Sequence, residues 1–426
     1  RCRMDVRHRA KRAVNSDGRS AGGFSRLHAR KMDDPAASRR FRYKQNMSSN
    51  SQFDSGVTME ELRRAGEYAL LDMRPAGARE YGMIPGALPY ERNYAAGITA
   101  KGVKAVLYCH RGDKSKAEAE SLIKEGVKAY YLKGGYMRWL QDAMSAADDG
   151  EICKRAEESI RKKFRTVLMS RFIKAIKTYR LLSPGDKVAV CISGGKDSML
   201  MAKLFQELLR YSEFEFGLEF LVMDPGYNAE NRAAIESNAR RLNVPVKIFE
   251  TDIFSAVYHI EKSPCYLCAR MRRGYLYNYA RSLGCNKIAL GHHYDDVIET
   301  ILMGMLYGAQ VQTMMPKLHS ANFPGMQLIR PMYLIREADI KAWRDYNSLH
   351  FIQCACKFTD DVSRADGDER LSKRQEIKQL IGELKKRNPD VEKCIFRSVE
   401  NVNIDTVIAY KQGGVKHRFL DEYDDK

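Results

Sequence analysis

The chain has 426 residues, of which 44% are hydrophobic, so it can bury the cores of two or more domains. It contains no apolar run of about 18 residues, so we expect neither a membrane span nor a signal peptide. The formal net charge of +18 favours a polyanionic partner such as nucleic acid. Ten cysteines without a secretory signal indicate a reducing compartment, the cytoplasm, in which close-set cysteines bind metals or do chemistry.

Residues 1–50 are predicted to be a disordered basic extension. They are rich in Arg, Ser and Gly and show no apolar period, and residues 1–46 alone hold 14 Lys/Arg against four Asp/Glu. Three interpretations are open at this point: a solubilising tail, an arm that contacts RNA phosphates, or a stretch upstream of Met47 that is not translated in the native protein.

Residues 51–148 are predicted to form the first folded domain, an α/β domain with parallel strands. Three short apolar strands are predicted, at 69–72, 105–108 and 129–132. Cys109 directly follows the second strand, so the backbone N–H groups of a strand-to-helix loop would surround its sulfur. Together with the charges of Arg111 and Lys114, these groups would favour the thiolate, which is the reactive form of cysteine.

Residues 149–182 are predicted to be a basic amphipathic linker helix. Apolar side chains follow helical spacing from Ile160 to Tyr179. The opposite face carries ten Lys/Arg between Lys154 and Arg180, which suits either a solvated helix face or RNA binding.

Residues 183–358 again alternate strands and helices and are predicted to form a doubly wound domain with a parallel sheet. Four buried strands are predicted, at 187–192, 218–224, 244–250 and 287–291. In such a sheet, ligands bind beyond the carboxyl ends of the strands. Residues 359–426 are predicted to be a helical C-terminal extension, whose basic helix at 372–387 stops before Pro389.

The strand at 187–192 runs straight into Ser193-Gly194-Gly195-Lys196-Asp197-Ser198, and a helix follows. Strand, glycine turn and helix form the setting in which such a loop binds phosphate. The glycines let backbone N–H groups approach phosphate oxygens, and the helix N-terminus adds partial positive charge. The spacing differs from that of a Walker A loop, so we expect a phosphate loop of another kind.

Two pairs of cysteines are close in sequence: Cys265 with Cys268, and Cys354 with Cys356. Such pairs suit zinc, redox or iron–sulfur chemistry. We favour three thiolates with an open iron position over a four-ligand zinc site, because the two spacings differ. A further polar motif, Gly291 to Asp296, follows the strand at 287–291 and falls where a nucleotide would bind.

These motifs resemble known families. The segment Ser193–Ser198 is similar to the PP-loop of ATP pyrophosphatases, which cleave ATP between the α and β phosphates. The other motifs that carry a resemblance are C-x-x-C-x-R-x-R-R-G from Cys265, G-H-H-x-D-D from Gly291, Pro316-Lys317-Leu318 and Arg330-Pro331. In this order they resemble the TtcA family, which makes 2-thiocytidine in the tRNA anticodon loop. The front domain resembles rhodanese domains at Leu70–Arg74, Ile84–Ala87 and Lys133–Trp139.

The resemblance implies a role for each matching residue. Cys109 would carry a persulfide, and Lys196 and Asp197 would act on ATP, with Asp197 placing Mg²⁺. The ATP-binding residues that it implies are Ser193, Gly194, Gly195, Lys196, Asp197, Ser198, His292, Asp295 and Asp296. A [4Fe–4S] cluster would be held by Cys265, Cys268 and Cys354, with Cys356 as the alternative third ligand. The residues implied to bind RNA are Arg270, Arg272 and Arg273.

The expected reaction joins these parts. Cys109 takes sulfur from thiosulfate or a cysteine desulfurase and passes it to the cluster, ATP adenylates a tRNA base, and sulfur displaces AMP. We expect tRNA as a partner and no membrane contact, and a homodimer is left open. Two alternatives are kept: thiolation of uridine, as in 4-thiouridine synthesis, and a sulfur carrier that binds RNA without modifying it. The first places its rhodanese domain last, and the second has no need of an intact ATP loop.

Overall fold

The structure is a computed structural model. It describes residues 55–64, 68–79, 82–100, 102–145, 149–253, 264–352, 373–421 and 423. The predicted extension at 1–50 lies outside the described residues. Among these residues, no helix combines the length and the apolar character that crossing a membrane requires.

A five-stranded parallel sheet forms the front of the chain, in the order β1-β5-β4-β2-β3. Its strands are β1 (Gly56–Val57), β2 (Tyr68–Asp72), β3 (Leu88–Pro89), β4 (Lys104–Tyr108) and β5 (Ala129–Leu132). Its helices are α1 (Met59–Arg64), α2 (Ala76–Arg79), α3 (Arg92–Ala100), α4 (Asp113–Lys124) and α5 (Gly135–Ser145). Ala105 to Tyr108 of β4 are all fully buried, because both faces of a parallel sheet are covered.

A second sheet has six strands in the order β10-β11-β9-β6-β7-β8. The strands are β6 (Lys187–Ile192), β7 (Gly217–Asp224), β8 (Val246–Glu250), β9 (Lys287–Ala289), β10 (Lys317–His319) and β11 (Gln327–Ile329). The pairs are parallel except β10 with β11, which run antiparallel at the edge. The predicted fold class is therefore confirmed, with an antiparallel edge hairpin added to it.

The second sheet is surrounded by helices that begin beyond the carboxyl ends of its strands. These helices are α8 (Lys196–Tyr211), α9 (Ala229–Arg241), α10 (Pro264–Ser282), α11 (Tyr294–Gly308) and α12 (Glu337–Tyr346). A large core lies on one side of the sheet, where Phe172, Phe205 and Trp343 are fully buried. This arrangement brings five helix N-termini to one edge of the sheet, which is where the site is found.

The segment predicted as a single helix at 149–182 is interrupted. It consists of α6 (Asp149–Arg161), a π-helical turn at Arg165–Met169, and α7 (Ser170–Thr178). Its apolar side belongs to the core of the second sheet and includes Ile160, Phe164 and Leu168. The π turn shifts the helical register by one residue, which keeps these apolar side chains facing the core on both sides of the interruption.

The C-terminal part packs on the outside of α11. Helices α13 (Lys373–Arg387) and α14 (Val391–Ser398) bury Ile377, Ile381 and Phe396 against Val297 and Ile301 of α11. A hairpin of β12 (Ala409–Gln412) and β13 (Val415–Arg418) follows. The hairpin was not part of the prediction of a helical extension, and its strands are largely exposed, so no buried apolar pattern marks them in the sequence.

Candidate nucleotide and sulfur-transfer site

The predicted phosphate loop connects β6 to α8. Gly194 has a φ of +85°, and a Cβ atom built there would lie 2.6 Å from the Ile235 side chain, so only glycine fits. The Ser193 N–H donates to Ser198 Oγ at 3.1 Å, and the Ser198 hydroxyl donates to the Gly195 carbonyl at 3.0 Å. These bonds hold the turn open at the N-terminus of a 16-residue helix, the arrangement that binds phosphate.

Lys196 lies in the wall of the loop rather than in solvent. Its side chain is 2% exposed, and Nζ is 3.1 Å from Asp197 Oδ2 and 3.2 Å from Glu337 Oε1. Glu337 begins α12, and it also contacts Lys378 of α13 at 2.9 Å. Burial alone would raise the pKa of Glu337, but Lys196 and Lys378 hold that pKa far below its usual value. Two anions therefore keep the buried ammonium group charged.

Asp197 has an unsatisfied oxygen. Its Oδ1 atom is buried and has no hydrogen-bond donor, and His293 Nε2 is 3.8 Å away. A buried carboxylate oxygen without a donor is costly unless a cation or ligand completes it. Carboxylate oxygens beside a phosphate loop are the ligands that Mg²⁺ uses with nucleotides, so Asp197 fits the predicted metal role in chemistry and in position.

The Gly291–Asp296 motif lies directly against the loop. A Cβ atom on Gly291 would come within 3.3 Å of the Asp197 and Ser198 backbone. His293 caps α11: its N–H donates to Asp296 Oδ2 at 3.0 Å, and its Nδ1 accepts from the Asp296 N–H at 3.4 Å. Because Nδ1 is an acceptor, neutral His293 carries its proton on Nε2, which faces Asp197. His293 was missed as an individual site residue, although the sequence motif contains it.

Three predicted residues of this motif have different surroundings. Burial lowers the pKa of His292 to about 4, and its Nδ1 accepts from Arg330 Nε at 3.4 Å. Burial opposes the ionisation of Asp296, but the two histidines outweigh it and keep its pKa below the usual value. Asp295 is occupied elsewhere, since it accepts from Arg336 at 3.0 Å and from the Glu337 N–H at 2.6 Å. Of the three, Asp296 lies nearest to the Asp197–His293 pair.

The C-terminal extension adds a cation that sequence reasoning did not assign. Arg374 of α13 lies 3.2 Å from Asp296 Oδ1 and 3.3 Å from Glu299 Oε2. The position of Arg374 depends on α13 packing against α11, a tertiary contact for which the sequence carries no local signal. The nucleotide site is thus closed on one side by a helix that comes from outside the doubly wound domain.

The second predicted centre, Cys109, follows β4 in the first sheet. Its Sγ is approached by the Gly112 N–H at 3.2 Å, the Ser115 N–H at 3.4 Å and the Ser115 hydroxyl at 3.5 Å. The side chain is 7% exposed. Gly135, with a φ of +57°, passes so close that a Cβ atom would lie 2.5 Å from the Cys109 carbonyl oxygen. Donors converging on one sulfur stabilise a thiolate or the anion of a persulfide.

The remaining predicted residues that the structure describes belong to α10. The backbones of Cys265 and Cys268 form its first turns, but their side chains lie outside the described residues, as do Cys354 and Cys356 altogether. Arg270 and Arg273 are exposed on this helix, and Arg272 is half-buried. In the described part of the chain, no group of three or more His, Cys, Asp or Glu side chains is arranged to hold a metal ion.

Family models identify both halves of the chain. A rhodanese-like domain matches residues 57–142, and a PP-loop domain matches residues 164–366. The chain therefore has a rhodanese-like domain followed by a PP-loop domain, as the fold and the two loops indicate.

Relatives narrow this class to a family. A tRNA-cytidine(32) 2-sulfurtransferase of Coxiella burnetii strain RSA 493 is 36% identical over 234 residues, which cover 54% of this chain and 87% of the relative. The protein of that name from Neisseria meningitidis serogroup C is 34% identical over 234 residues, which cover 54% of this chain and 69% of that relative. The chain belongs to the family of tRNA-cytidine(32) 2-sulfurtransferases and is an ATP-dependent tRNA sulfurtransferase.

A solved structure with some likeness is the U34-tRNA thiolase NcsA from Methanococcus maripaludis with its [4Fe-4S] cluster. It is 22% identical, with 56% of this chain and 80% of that one covered and a TM-score of 0.42. At that score, no property can be transferred from one protein to the other.

Proposed function

We propose that the chain replaces the carbonyl oxygen of a cytidine in tRNA by sulfur, with ATP as the activator and Cys109 as the carrier of the sulfur. The observation that carries the proposal is the phosphate loop, where Lys196 and Asp197 face the His293–Asp296 cap across the end of the second sheet. The relatives named as tRNA-cytidine(32) 2-sulfurtransferases supply the substrate and the base.

The loop residues act on ATP. The backbone N–H groups at the start of α8 bind the phosphates, and the buried Lys196 ammonium neutralises them. Mg²⁺, when bound with the nucleotide, stabilises charge on the phosphate oxygens, and Asp197 Oδ1 is the oxygen available to hold it. The base carbonyl oxygen attacks the α-phosphorus, pyrophosphate leaves, and the carbon that bears the adenylated oxygen becomes open to sulfur. AMP leaves when the terminal sulfur of a persulfide adds to that carbon, and a thiol then breaks the S–S bond, which leaves the thiocarbonyl on the base and a disulfide as the oxidised product.

We propose that His293 binds the nucleotide through its Nε2 atom. Its Nε2–H lies 3.8 Å from Asp197 Oδ1 and 3.6 Å from Asp296 Oδ2. These distances are too long for strong hydrogen bonds, which leaves the N–H able to donate to an incoming oxygen of the nucleotide. We assign His293 to phosphate binding alongside the loop. The predicted ATP-binding residues His292 and Asp296 border this position, and Asp295 supports it through Arg336 and the Glu337 N–H.

Cys109 is proposed as the sulfur carrier. With thiosulfate, the Cys109 thiolate attacks the outer sulfur, sulfite leaves, and a persulfide remains on Cys109; a cysteine desulfurase would transfer the same sulfur atom from its own persulfide. The contacts of Sγ with Gly112 and Ser115 support this role, because they stabilise negative charge. The identity of the sulfur donor stays a prediction, and a homodimer stays open, as the sequence left it.

The third part of the proposal is a [4Fe–4S] cluster on Cys265, Cys268 and Cys354 or Cys356. Three thiolates are a chemically suitable ligand set, and the C-x-x-C pair lies in the first turns of α10. The cluster would accept sulfur at an iron without a protein ligand. Anaerobic purification with iron and sulfide analysis tests it: about four of each per chain are expected, and Cys265→Ala should lose them. One zinc ion in place of iron would refute it.

The experiment that tests the reaction is nucleoside mass spectrometry of unmodified tRNA after incubation with ATP, Mg²⁺, thiosulfate and a thiol reductant, which supplies the two electrons that the sulfane sulfur needs. We expect one cytidine per tRNA to gain 2-thio substitution, and Lys196→Ala to abolish it. Cys109→Ala should abolish it with thiosulfate and retain it with free sulfide. Thiolation of a uridine instead, or none with the wild-type protein, would refute the proposed base or the proposed reaction.

A further inference from the structure

We propose that the rhodanese-like domain delivers its sulfur to the PP-loop domain of the same chain, and that the ion pair between Arg111 and Glu230 orients the Cys109 loop for this delivery. The inference rests on the proposed function and goes beyond it, because it assigns a route and a positioning pair. Neither a free persulfide carrier nor a second copy of the chain is needed.

The first observation is the ion pair itself. Arg111 lies two residues after Cys109 in the persulfide loop, and its Nε is 3.4 Å from Glu230 Oε2 in the first turn of α9. The loop is bonded to the start of α5, because the Tyr136 N–H donates to the Cys109 carbonyl at 2.9 Å. Glu230 therefore contacts the loop that carries the sulfur and not a remote surface of the domain.

The second observation is the place of α9 in the PP-loop domain. The helix starts directly beyond β7, whose last residue, Asp224, contacts Arg232 at 2.6 Å. One turn further along, Ile235 packs on Gly194 of the phosphate loop. The helix that receives Arg111 at Glu230 therefore also packs against the phosphate loop, through Ile235.

A third observation is independent of the ion pair. Trp139 of α5 packs edge-on against His350, with ring centroids 4.8 Å apart. The His350 carbonyl accepts from Asn238 of α9 at 3.0 Å, and Ile352 contacts Gly194. Burial lowers the pKa of His350 to about 4, so its imidazole ring is neutral where it packs against Trp139. The rhodanese-like domain thus packs on the segment that lines the phosphate loop.

These contacts have a kinetic consequence. Two centres joined in one chain meet at an effective concentration of about millimolar, which is above the concentration of most enzymes. In the delivery step, a sulfur nucleophile of the PP-loop domain attacks the outer sulfur of the Cys109 persulfide. The S–S bond breaks, Cys109 leaves as a thiolate with the bonding electron pair, and no external oxidant or reductant is needed.

A mixing experiment separates delivery within one chain from delivery between chains. Full-length Cys109→Ala carries no persulfide, and full-length Lys196→Ala lacks ATP chemistry. Equal amounts are combined with tRNA, ATP, Mg²⁺ and ³⁵S-thiosulfate labelled at the outer sulfur. Delivery within the chain predicts that the mixture gives no more labelled tRNA than the two variants alone. Recovery of a quarter or more of the wild-type rate would overturn the proposal.

Two controls keep this result distinct from failure of the proposed function. Cys109→Ala must thiolate tRNA with free sulfide, and Lys196→Ala must transfer sulfur from thiosulfate to cyanide. If the wild-type protein itself transfers no label to tRNA, it is the proposed function that fails. If it does and the controls hold, an inactive mixture supports delivery within one chain.

The positioning pair has its own test. Glu230→Arg should lower thiosulfate-dependent thiolation about fivefold, the size expected for losing a partly exposed ion pair, and leave the sulfide-dependent rate unchanged. Adding Arg111→Glu recreates the pair with reversed charges, and since Arg111 also favours the Cys109 thiolate, each thiosulfate-dependent rate is divided by the same variant's thiosulfate-to-cyanide rate; that ratio should return to the wild-type value. Glu236→Gln on the same helix is the matched control and should have no effect. Equal losses with thiosulfate and with sulfide, or no recovery in the double variant, would contradict an orienting role.

Discussion

Replacing Glu299 by a neutral isostere should make the protein more stable, by an amount that grows as the pH rises from about 4.5 to about 7 and is constant above that. The residue lies one turn into α11 and is 5% exposed, with Arg374 at 3.3 Å and Asp296 one turn before it. Burial raises the pKa of Glu299 to about 7, and the single partly exposed arginine does not offset this. The folded protein therefore favours the protonated carboxyl group at this position.

The size of the effect follows from the pKa difference. Since the folded pKa of about 7 lies above the ordinary 4.5, this group contributes its full stability below about pH 4.5 and loses it as the pH rises through 7. Ionisation at pH 8 then costs about 3 kcal/mol. Glu299→Gln removes that cost, so the variant should gain about 2–3 kcal/mol in unfolding free energy at pH 8 and nothing at pH 4.5.

Urea unfolding without nucleotide or Mg²⁺ measures this directly. The chain has two tryptophans, so in a Trp139→Phe background the buried Trp343 of α12 reports on the PP-loop domain alone. In that background, the shift in the urea midpoint caused by Glu299→Gln is compared at pH 8 and pH 4.5. The slope of unfolding free energy against urea concentration is taken to be the same for both proteins. A Glu299→Gln variant that is less stable at both pH values would refute the reasoning, because it would show that Arg374 stabilises an ionised Glu299.

Three further predictions concern the two centres. Glu337→Gln should cost about 3 kcal/mol in urea unfolding at pH 7, because it removes one of two anions beside buried Lys196; a cost below about 1 kcal/mol would contradict that role. Gly135→Ala should abolish sulfur transfer from thiosulfate to cyanide, because the new methyl group would clash with the Cys109 carbonyl oxygen. AMP release with sulfide and tRNA should persist. Retained sulfur transfer to cyanide would show that the loop tolerates the methyl group. Asp197→Asn should lower AMP release by about a hundredfold at saturating ATP, partly recovered by raising Mg²⁺; an unchanged rate would exclude Asp197 as a metal ligand.

Much of the fold follows from local sequence signals. The strands β2, β4, β5 and β6 lie where continuous apolar runs predict them, since strands covered on both faces leave that pattern. The three-residue strands β10 and β11 were not predicted as strands, because so short a segment shows no period and depends on its neighbours for pairing. The π-helical turn was missed for a related reason: its apolar side chains continue the same face.

The same distinction applies to the candidate site, where residues in a local motif could be predicted and residues brought in by distant helices could not. Ser193 to Ser198 could be predicted because strand, glycines and helix are contiguous in sequence. Glu337 and Arg374 could not, since each reaches the site only through the packing of a distant helix against α8 or α11. Arg111 was predicted for its charge near Cys109, but its contact with Glu230 depends on how the two domains pack, which no local pattern encodes.

The central claim is that ATP cleavage between the α and β phosphates drives thiolation of tRNA by this chain. The most direct measurement counts the products of one reaction: AMP and pyrophosphate from labelled ATP, and 2-thiocytidine from the tRNA, with thiosulfate as the sulfur source. The account predicts one AMP and one pyrophosphate for each 2-thiocytidine, and no product from ATP when tRNA is left out. Formation of ADP and phosphate, or of 2-thiocytidine without AMP, would contradict it.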